Sequence, residues 1–158
     1  MHPIKPIGRI FSPFNQIEDM PIQPKGAVGT KGQILVVESL QPGLKDLEGF
    51  SHIYLIYSFH KSVRTELTVV PFMDTQPRGV YATRSPLRPN HIGISIVRLE
   101  KIEGNRLHVL DIDVLNGTPL LDIKPYMESF DAVTDSRSGW MQASETEVAE
   151  RRSDDRFK

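Results

Sequence analysis

The sequence predicts a mainly β protein, a barrel or sandwich of short strands with only short helical segments. Runs of β-branched and aromatic residues alternate with turns rich in Gly and Pro, as in all-β domains. The 12 Pro in 158 residues argue against long helices. A chain of this length forms one domain with a proper core, and closing the sheet on itself would hide its edges.

The predicted strands follow one another along most of the chain. They are residues 33–38, 53–59, 68–70, 79–83, 92–99, 106–115 and 120–123. The segments 92–99 and 106–115 show the clearest apolar–polar alternation, and Glu103-Gly104-Asn105 between them predicts a hairpin turn. The alternation of the second segment changes phase near Leu110–Asp111, which is typical of a β-bulge.

Helical signals are weaker. Residues 43–48 predict one or two turns that end at Gly49. Near the C-terminus, Ser144 and Glu147 form a capping-box pattern before a segment with five acidic and four basic residues in its last fourteen positions. We therefore expect a β domain over residues 4–138 and a charged helix or tail over residues 139–158.

Composition excludes several classes of protein. With no Cys there is no disulfide, thiolate zinc site or cysteine nucleophile. No apolar run is long enough to span a membrane, so we expect a cytoplasmic protein without a membrane partner. The five His show no metal-ligand spacing, and no metal site is predicted. The net charge of −1 excludes a protein that coats nucleic acid with its whole surface.

The middle of the chain is nevertheless basic, since residues 60–106 hold eight Lys or Arg and four Asp or Glu. This excess fits either ordinary loop charge or a local anion-binding face. The stretch 82–93 reads A-T-R-S-P-L-R-P-N-H-I-G, where two Pro stiffen a loop that carries Arg84 and Arg88. Arg side chains recognise carboxylates and phosphates. Salt bridges would also explain the two Arg of this loop, but the pattern favours an anion-binding site.

A second polar cluster follows the segment 106–115. Asn116-Gly117 begins a tight turn, which by itself explains the sequence N-G-T-P. Asp122, Lys124 and Tyr126 alternate and therefore share one face of an extended segment. Their pattern fits a surface salt bridge and a polar pocket wall equally well.

Together these motifs resemble those of the TsaA-like (YaeB, TrmO) family. The matching stretches are A-T-R-S-P-x-R-P-N-x-I-G and L-N-G-T-P-L-L-D-I-K-P-Y, within a resemblance that covers residues 4 to 130. It implies a single-sheeted β-barrel that forms a homodimer. It also implies an S-adenosylmethionine-dependent methyltransferase that modifies N6 of threonylcarbamoyladenosine beside the anticodon of tRNA, with tRNA rather than DNA as the partner.

The resemblance also assigns residues. Those implied at the cofactor are Gln23, Pro24, Lys25, His60, Lys61, Arg84, Ile94, Leu115, Asn116, Gly117 and Thr118. From the chemistry of the side chains, we further predict Arg84, Asp122 and Lys124 as catalytic residues and Arg88, Asn90 and Tyr126 as substrate-binding residues. Asn116 departs from the Asp that is usual in the family. Two alternative functions stay open: a non-catalytic barrel that binds S-adenosylmethionine or RNA, and a methyltransferase for another small substrate.

Overall fold

A computed structural model describes residues 1–21, 24–72 and 74–141 of the chain. Within them, eight strands are found: β1 (Gly8–Phe11), β2 (Lys31–Val36), β3 (His52–Ser58), β4 (Thr68–Val69), β5 (Arg78–Gly79), β6 (Ile92–Glu103), β7 (Arg106–Leu110) and β8 (Thr118–Pro125). One short α-helix, α1, covers Glu128–Asp131. The 3-10 turns are Ile17–Asp19, Pro24–Ala27, Glu38–Leu44, Leu47–Gly49 and Val80–Ala82.

Six of these strands close into one barrel in the order β1-β2-β7-β6-β3-β8. Every neighbouring pair is antiparallel, and closure gives each barrel strand a partner on both sides. β4 and β5 form a separate two-stranded hairpin in the long connection from β3 to β6. The predictions of a mainly β fold and of a single-sheeted barrel are therefore confirmed.

Strand alternation fills the barrel. In β3, Ile53, Leu55 and Tyr57 are buried, and the residues between them are partly exposed on the outer face. The inward residues of the other strands join the same apolar cluster, whose burial is the main stabilising term of such a fold. A second, smaller core of Val69, Val80 and Leu87 lies within the β3–β6 connection.

Several sequence predictions of single elements need correction. The strand expected over 106–115 ends at Leu110, where Asp111 takes a left-handed φ of 67°. The β-bulge expected near Leu110–Asp111 lies instead in β6, where the register shifts between Leu99 and Lys101 opposite Val109 and His108 of β7. The strand expected over 79–83 stops at Gly79 and continues as a 3-10 turn, and the helix expected over 43–48 is two 3-10 turns.

One end of the barrel carries three of the connecting loops, and we call it the mouth. There β1 ends and β2 begins, β3 ends and β6 begins, and β7 ends and β8 begins. The mouth loops are therefore residues 12–30, 59–91 and 111–117. The last of these closes the opening, because Ile112 and Val114 are buried in the main core.

Candidate functional site at the barrel mouth

A chain of three buried polar side chains lies just inside the mouth. The Tyr57 hydroxyl is 3.0 Å from Ser95 Oγ, and Ser95 Oγ donates to Asp113 Oδ1 at 2.6 Å. Because the Ser95 proton points to the carboxylate, the Tyr57 hydroxyl donates to Ser95. Gly93 leaves room for the ring of Tyr57, since a side chain at residue 93 would overlap it. The strands thus hold a polar group where the apolar core ends.

Burial dominates the electrostatics of this network. It raises the pKa of Asp113 to about 7, and the hydrogen bond from Ser95 and the charge of Arg84 oppose the rise only in part. Burial also raises the pKa of Tyr57, and the charge of Asp113 adds to this. Sequence analysis missed all three residues, although an acid within the apolar run Ile112–Leu115 was a usable signal.

The loop that carries Arg84 is stiff, as its two Pro predicted. Arg88 Nη1 donates to the carbonyl of Thr83 at 3.0 Å, and Leu87 is fully buried in the smaller core. His91 Nδ1 lies 2.8 Å from the carbonyl of Pro86 and completes the loop. Arg84 itself is exposed, and its charge reaches both Asp113 and Tyr57. The fixed loop therefore holds a guanidinium near enough to the buried network for its charge to act on it.

The structure divides the two predicted substrate residues of this loop. Arg88 is half-buried and donates to backbone carbonyls, so it braces the loop. Asn90 is exposed at the loop surface. The structural interpretation therefore applies to Arg88, while Arg84 is exposed on the same loop at the mouth.

The turn of residues 115–118 lies against the β1–β2 loop. Asn116 accepts a hydrogen bond from the Ser12 amide at 3.1 Å and donates to Asn15 Oδ1 at 3.0 Å. Gly117 has a φ of +82°, which favours glycine. Leu115 and Thr118 are buried, and the Thr118 hydroxyl donates to the Leu115 carbonyl at 2.7 Å.

A basic edge adjoins this turn. Arg9, which sequence analysis did not single out, donates to the Gly117 carbonyl at 2.8 Å. Its charge also reaches His60, whose pKa is lowered mainly by partial removal from water and then by the neighbouring Lys61. His60 is therefore neutral at pH 7, and the cations beside it are Arg9 and Lys61.

The remaining cofactor candidates lie in the β1–β2 mouth loop, on the outer face of the barrel or outside the described residues. The 3-10 turn that includes Pro24 and Lys25 packs against β6. Ile94, near the start of β6, is 46% exposed on the outer face of the barrel. Gln23 lies outside the described residues, as does the capping box predicted at residues 144–147.

Asp122, Lys124 and Tyr126 are not brought to the mouth. Lys124 Nζ lies 3.2 Å from Asp122 Oδ2 in a half-exposed pair on the outer face of β8. Asp122 also lines a groove with Leu44 and Phe50 of the 38–50 segment, and the ring of Tyr126 packs edge-on against Tyr54. Of the two interpretations of this pattern, the geometry favours a surface salt bridge.

Comparison with known proteins places this arrangement in a family. The family model described as tRNA-methyltransferase O N-terminal domain matches residues 9–132, which hold the whole barrel except the first residue of β1. This chain belongs to that family. The resemblance predicted from the sequence motifs is therefore confirmed.

Individual members of the tRNA-methyltransferase O family agree with this assignment. A probable S-adenosyl-L-methionine-binding protein of Pyrococcus abyssi is 48% identical over 97% of this chain and 83% of its own length. The tRNA (adenine(37)-N6)-methyltransferase of Rattus norvegicus is 35% identical over 81% of this chain and 31% of its own length. A crystal structure of TrmO from Pseudomonas aeruginosa superimposes with a TM-score of 0.75 at 40% identity, over 90% of this chain and 62% of that one.

Two further properties concern the described residues alone. They contain no helix with the length and apolar character of a membrane span. Nor do three or more of their His, Asp and Glu side chains come together as a metal site requires.

The departure at Asn116 leads to a testable prediction. Asn116→Asp is expected to change the free energy of unfolding by less than about 1 kcal/mol, because a carboxylate still accepts from Ser12 and the Asn15 amide can rotate to donate. In an Asn15→Asp background the two carboxylates face each other. The same change at residue 116 should then cost about 1–2 kcal/mol more at pH 7, measured by urea unfolding. Equal costs in both backgrounds would disprove the pairing.

Proposed function

We propose that this chain is an S-adenosylmethionine-dependent tRNA (adenine-N6) methyltransferase. The observation that carries the proposal is the family match over the barrel, together with relatives whose names give this cofactor and this reaction. We further propose that the methyl acceptor is N6 of threonylcarbamoyladenosine beside the anticodon, and that the protein acts in the cytoplasm, where tRNA is abundant.

The geometry supports a cofactor-binding side and an RNA-binding side of the mouth. The turn of residues 115–118 and the adjoining His60–Lys61 edge would hold the cofactor, since this side offers backbone carbonyls, an amide and a neutral imidazole. The carboxyl end of the methionyl group would find its counter-charges in Lys61 and Arg9. Arg84 and Asn90, both exposed on the opposite loop, would face the RNA.

Methyl transfer from a sulfonium is an in-line displacement, so positioning and exclusion of water supply much of the catalysis. When bound, S-adenosylmethionine would supply the methyl group and become the neutral thioether product, while the N6 proton would pass to solvent water. The carbamoyl group makes that N–H more acidic than in plain adenosine, because the anion is delocalised into the carbonyl. A guanidinium at the position of Arg84 would stabilise the developing negative charge.

Incubation with methyl-labelled S-adenosylmethionine and tRNA tests this function. Label should enter tRNA that carries the threonylcarbamoyl group and should not enter tRNA that lacks it. Labelling of both tRNAs would disprove the proposed acceptor. Tight cofactor binding without transfer to either tRNA would instead favour the non-catalytic binding barrel.

We also propose that the protein is a homodimer that pairs through the outer face of β3 and β6. On that face Ile56 stands beside Ile94 and Tyr54 beside Ile96, in register on adjacent strands. Ile94 and Ile96 are 46% and 37% exposed, so the face presents apolar rows where a barrel normally presents polar side chains to water. A second copy of the same strand pair offers a self-complementary surface.

Ile96→Glu is therefore expected to convert the dimer to a monomer at micromolar concentration, because it places a charge in the centre of the apolar rows. Light scattering after gel filtration measures the mass. Val37→Glu, at a residue that is 47% exposed directly after β2, is the matched control and should leave the dimer intact, because β2 neighbours neither β3 nor β6 in the barrel. A wild-type monomer at 50 µM (on the order of typical assay concentrations) would contradict the proposal.

A further inference from the structure

The last described segment of the chain returns to the β3–β6 connection beside Arg84. Trp140 Nε1 donates to the carbonyl of Ala82 at 2.8 Å. This hydrogen bond joins residues that are far apart in sequence and fixes the indole two residues from Arg84. The ring is only partly buried, so part of its apolar surface faces solvent. Trp140 is also the single Trp of the sequence.

A cation is stacked with this indole. The guanidinium carbon of Arg78 lies 5.7 Å from the centre of the Trp140 ring. Arg78 is held in turn by Asp74, whose Oδ2 accepts from its Nε at 2.5 Å. Both the edge and one face of the indole are thus fixed by named partners. A ring held in this way loses little conformational entropy when a ligand binds to it.

The support beneath the indole is rigid as well. Ala82 ends the 3-10 turn of residues 80–82, and Val80 anchors that turn in the smaller core. Tyr81, between them, is 73% exposed. The turn therefore presents an exposed phenol next to the carbonyl that binds Trp140, and the loop with Arg84 follows directly.

We propose that Trp140, with Tyr81, forms a stacking platform for an unpaired base of the anticodon loop that flanks the target adenosine. The proposal rests on the function proposed above, which brings such a loop to Arg84. We call Arg78, Tyr81 and Trp140 the aromatic platform.

The chemistry of the platform fits RNA. Protein sites for single-stranded loops combine aromatic rings, on which unstacked bases lie, with Arg side chains that attract the backbone. Here Arg78 and Tyr81 belong to the segment 60–106, which carries a net charge of +4 from eight basic and four acidic residues, and Trp140 is hydrogen-bonded to Ala82 of the same segment. Stacking tolerates any base, so the platform would position the loop and leave recognition of the modified adenosine to the mouth.

The single Trp makes the test direct. An anticodon stem-loop oligonucleotide is titrated into the wild-type protein, and the tryptophan fluorescence is followed alongside anisotropy of the labelled RNA. A base stacked on Trp140 should quench the fluorescence with the same midpoint as the anisotropy change. RNA that binds without altering the fluorescence would overturn the platform and leave the methyltransferase proposal standing. Quenching by RNA in a protein that transfers no methyl group would support the platform and overturn the methyltransferase proposal. Absence of RNA binding would overturn both proposals.

Variants give a second readout. Trp140→Leu is expected to raise KM for tRNA about 10-fold with kcat at saturating tRNA nearly unchanged, and Trp140→Phe should keep most of the affinity. Phe130→Leu removes an aromatic ring that is 77% exposed on α1, beyond the opposite end of β8, and serves as the control. An unchanged KM in a folded Trp140→Leu protein would contradict the proposal. If that variant unfolds, the wild-type fluorescence titration still decides.

Discussion

Arg84→Ala is expected to lower kcat/KM for the modified tRNA by at least about 100-fold, equivalent to about 2.7 kcal/mol of transition-state stabilisation. The loop around Arg84 is held by Arg88, the buried Leu87 and His91, none of which changes. The melting temperature should therefore move by no more than a few degrees. A loss of activity without a loss of stability would place the guanidinium in the reaction.

Arg84→Lys separates charge from shape in the same assay. Lys keeps the positive charge but lacks the planar fork that pairs with two acceptors at once. If Arg84 acts only as a distant charge, this variant should recover most of the activity. If it orients the cofactor or the carbamoyl group, it should remain near the level of Arg84→Ala. Turnover of Arg84→Ala within about 3-fold of wild type would contradict a catalytic role altogether.

The strand pattern of this protein was predictable because it depends on local alternation. Residues 106–109, for example, alternate strictly, and β7 buries Leu107 and Val109. The existence of β6 was predictable as well, but its buried residues are Gly93, Ser95, Val97 and Leu99, whereas Ile94 and Ile96 are exposed. The strand β1 was missed since it is short and contributes only Ile10 to the core. The end of β7 was misjudged because residues 112–115 remain apolar after the strand ends, as they cross the mouth rather than continue the sheet.

The loops of the site were predictable and the network beneath them was not. Arg84 and Asn116 lie in stretches whose Pro and Gly indicate fixed loops, and both are at the mouth. The contacts of Asp113, in contrast, come from Ser95 and Tyr57 on two other strands, and no spacing along the chain encodes them. Asp122 illustrates the opposite case, since alternation predicted the face it shares with Lys124 but could not say that the face lies outside the barrel.

Asp113→Asn is expected to stabilise the protein above pH 7 and to lose that advantage at acidic pH. Burial raises the pKa of Asp113 to about 7 in the folded state, whereas the unfolded chain titrates near 4. Between these values the folded state keeps a proton that the unfolded state releases. Raising the pH through this window therefore lowers the free energy of unfolding of the wild type by up to about 4 kcal/mol. Because Asn does not titrate, Asp113→Asn does not undergo this loss.

The measurement is urea unfolding of wild type and Asp113→Asn between pH 4 and 8. The difference between the two proteins should grow with pH and level off above about 7. Ser95→Ala extends the test, because the Ser95 hydrogen bond lowers the pKa of Asp113 and its loss should carry the window to higher pH. A constant difference across the range would show that Asp113 does not titrate in this window. Asn at residue 113 would still accept the hydrogen bond from Ser95 without this loss of stability. The Asp113 carboxyl is therefore better explained by a role in binding or catalysis at the mouth than by a role in stability.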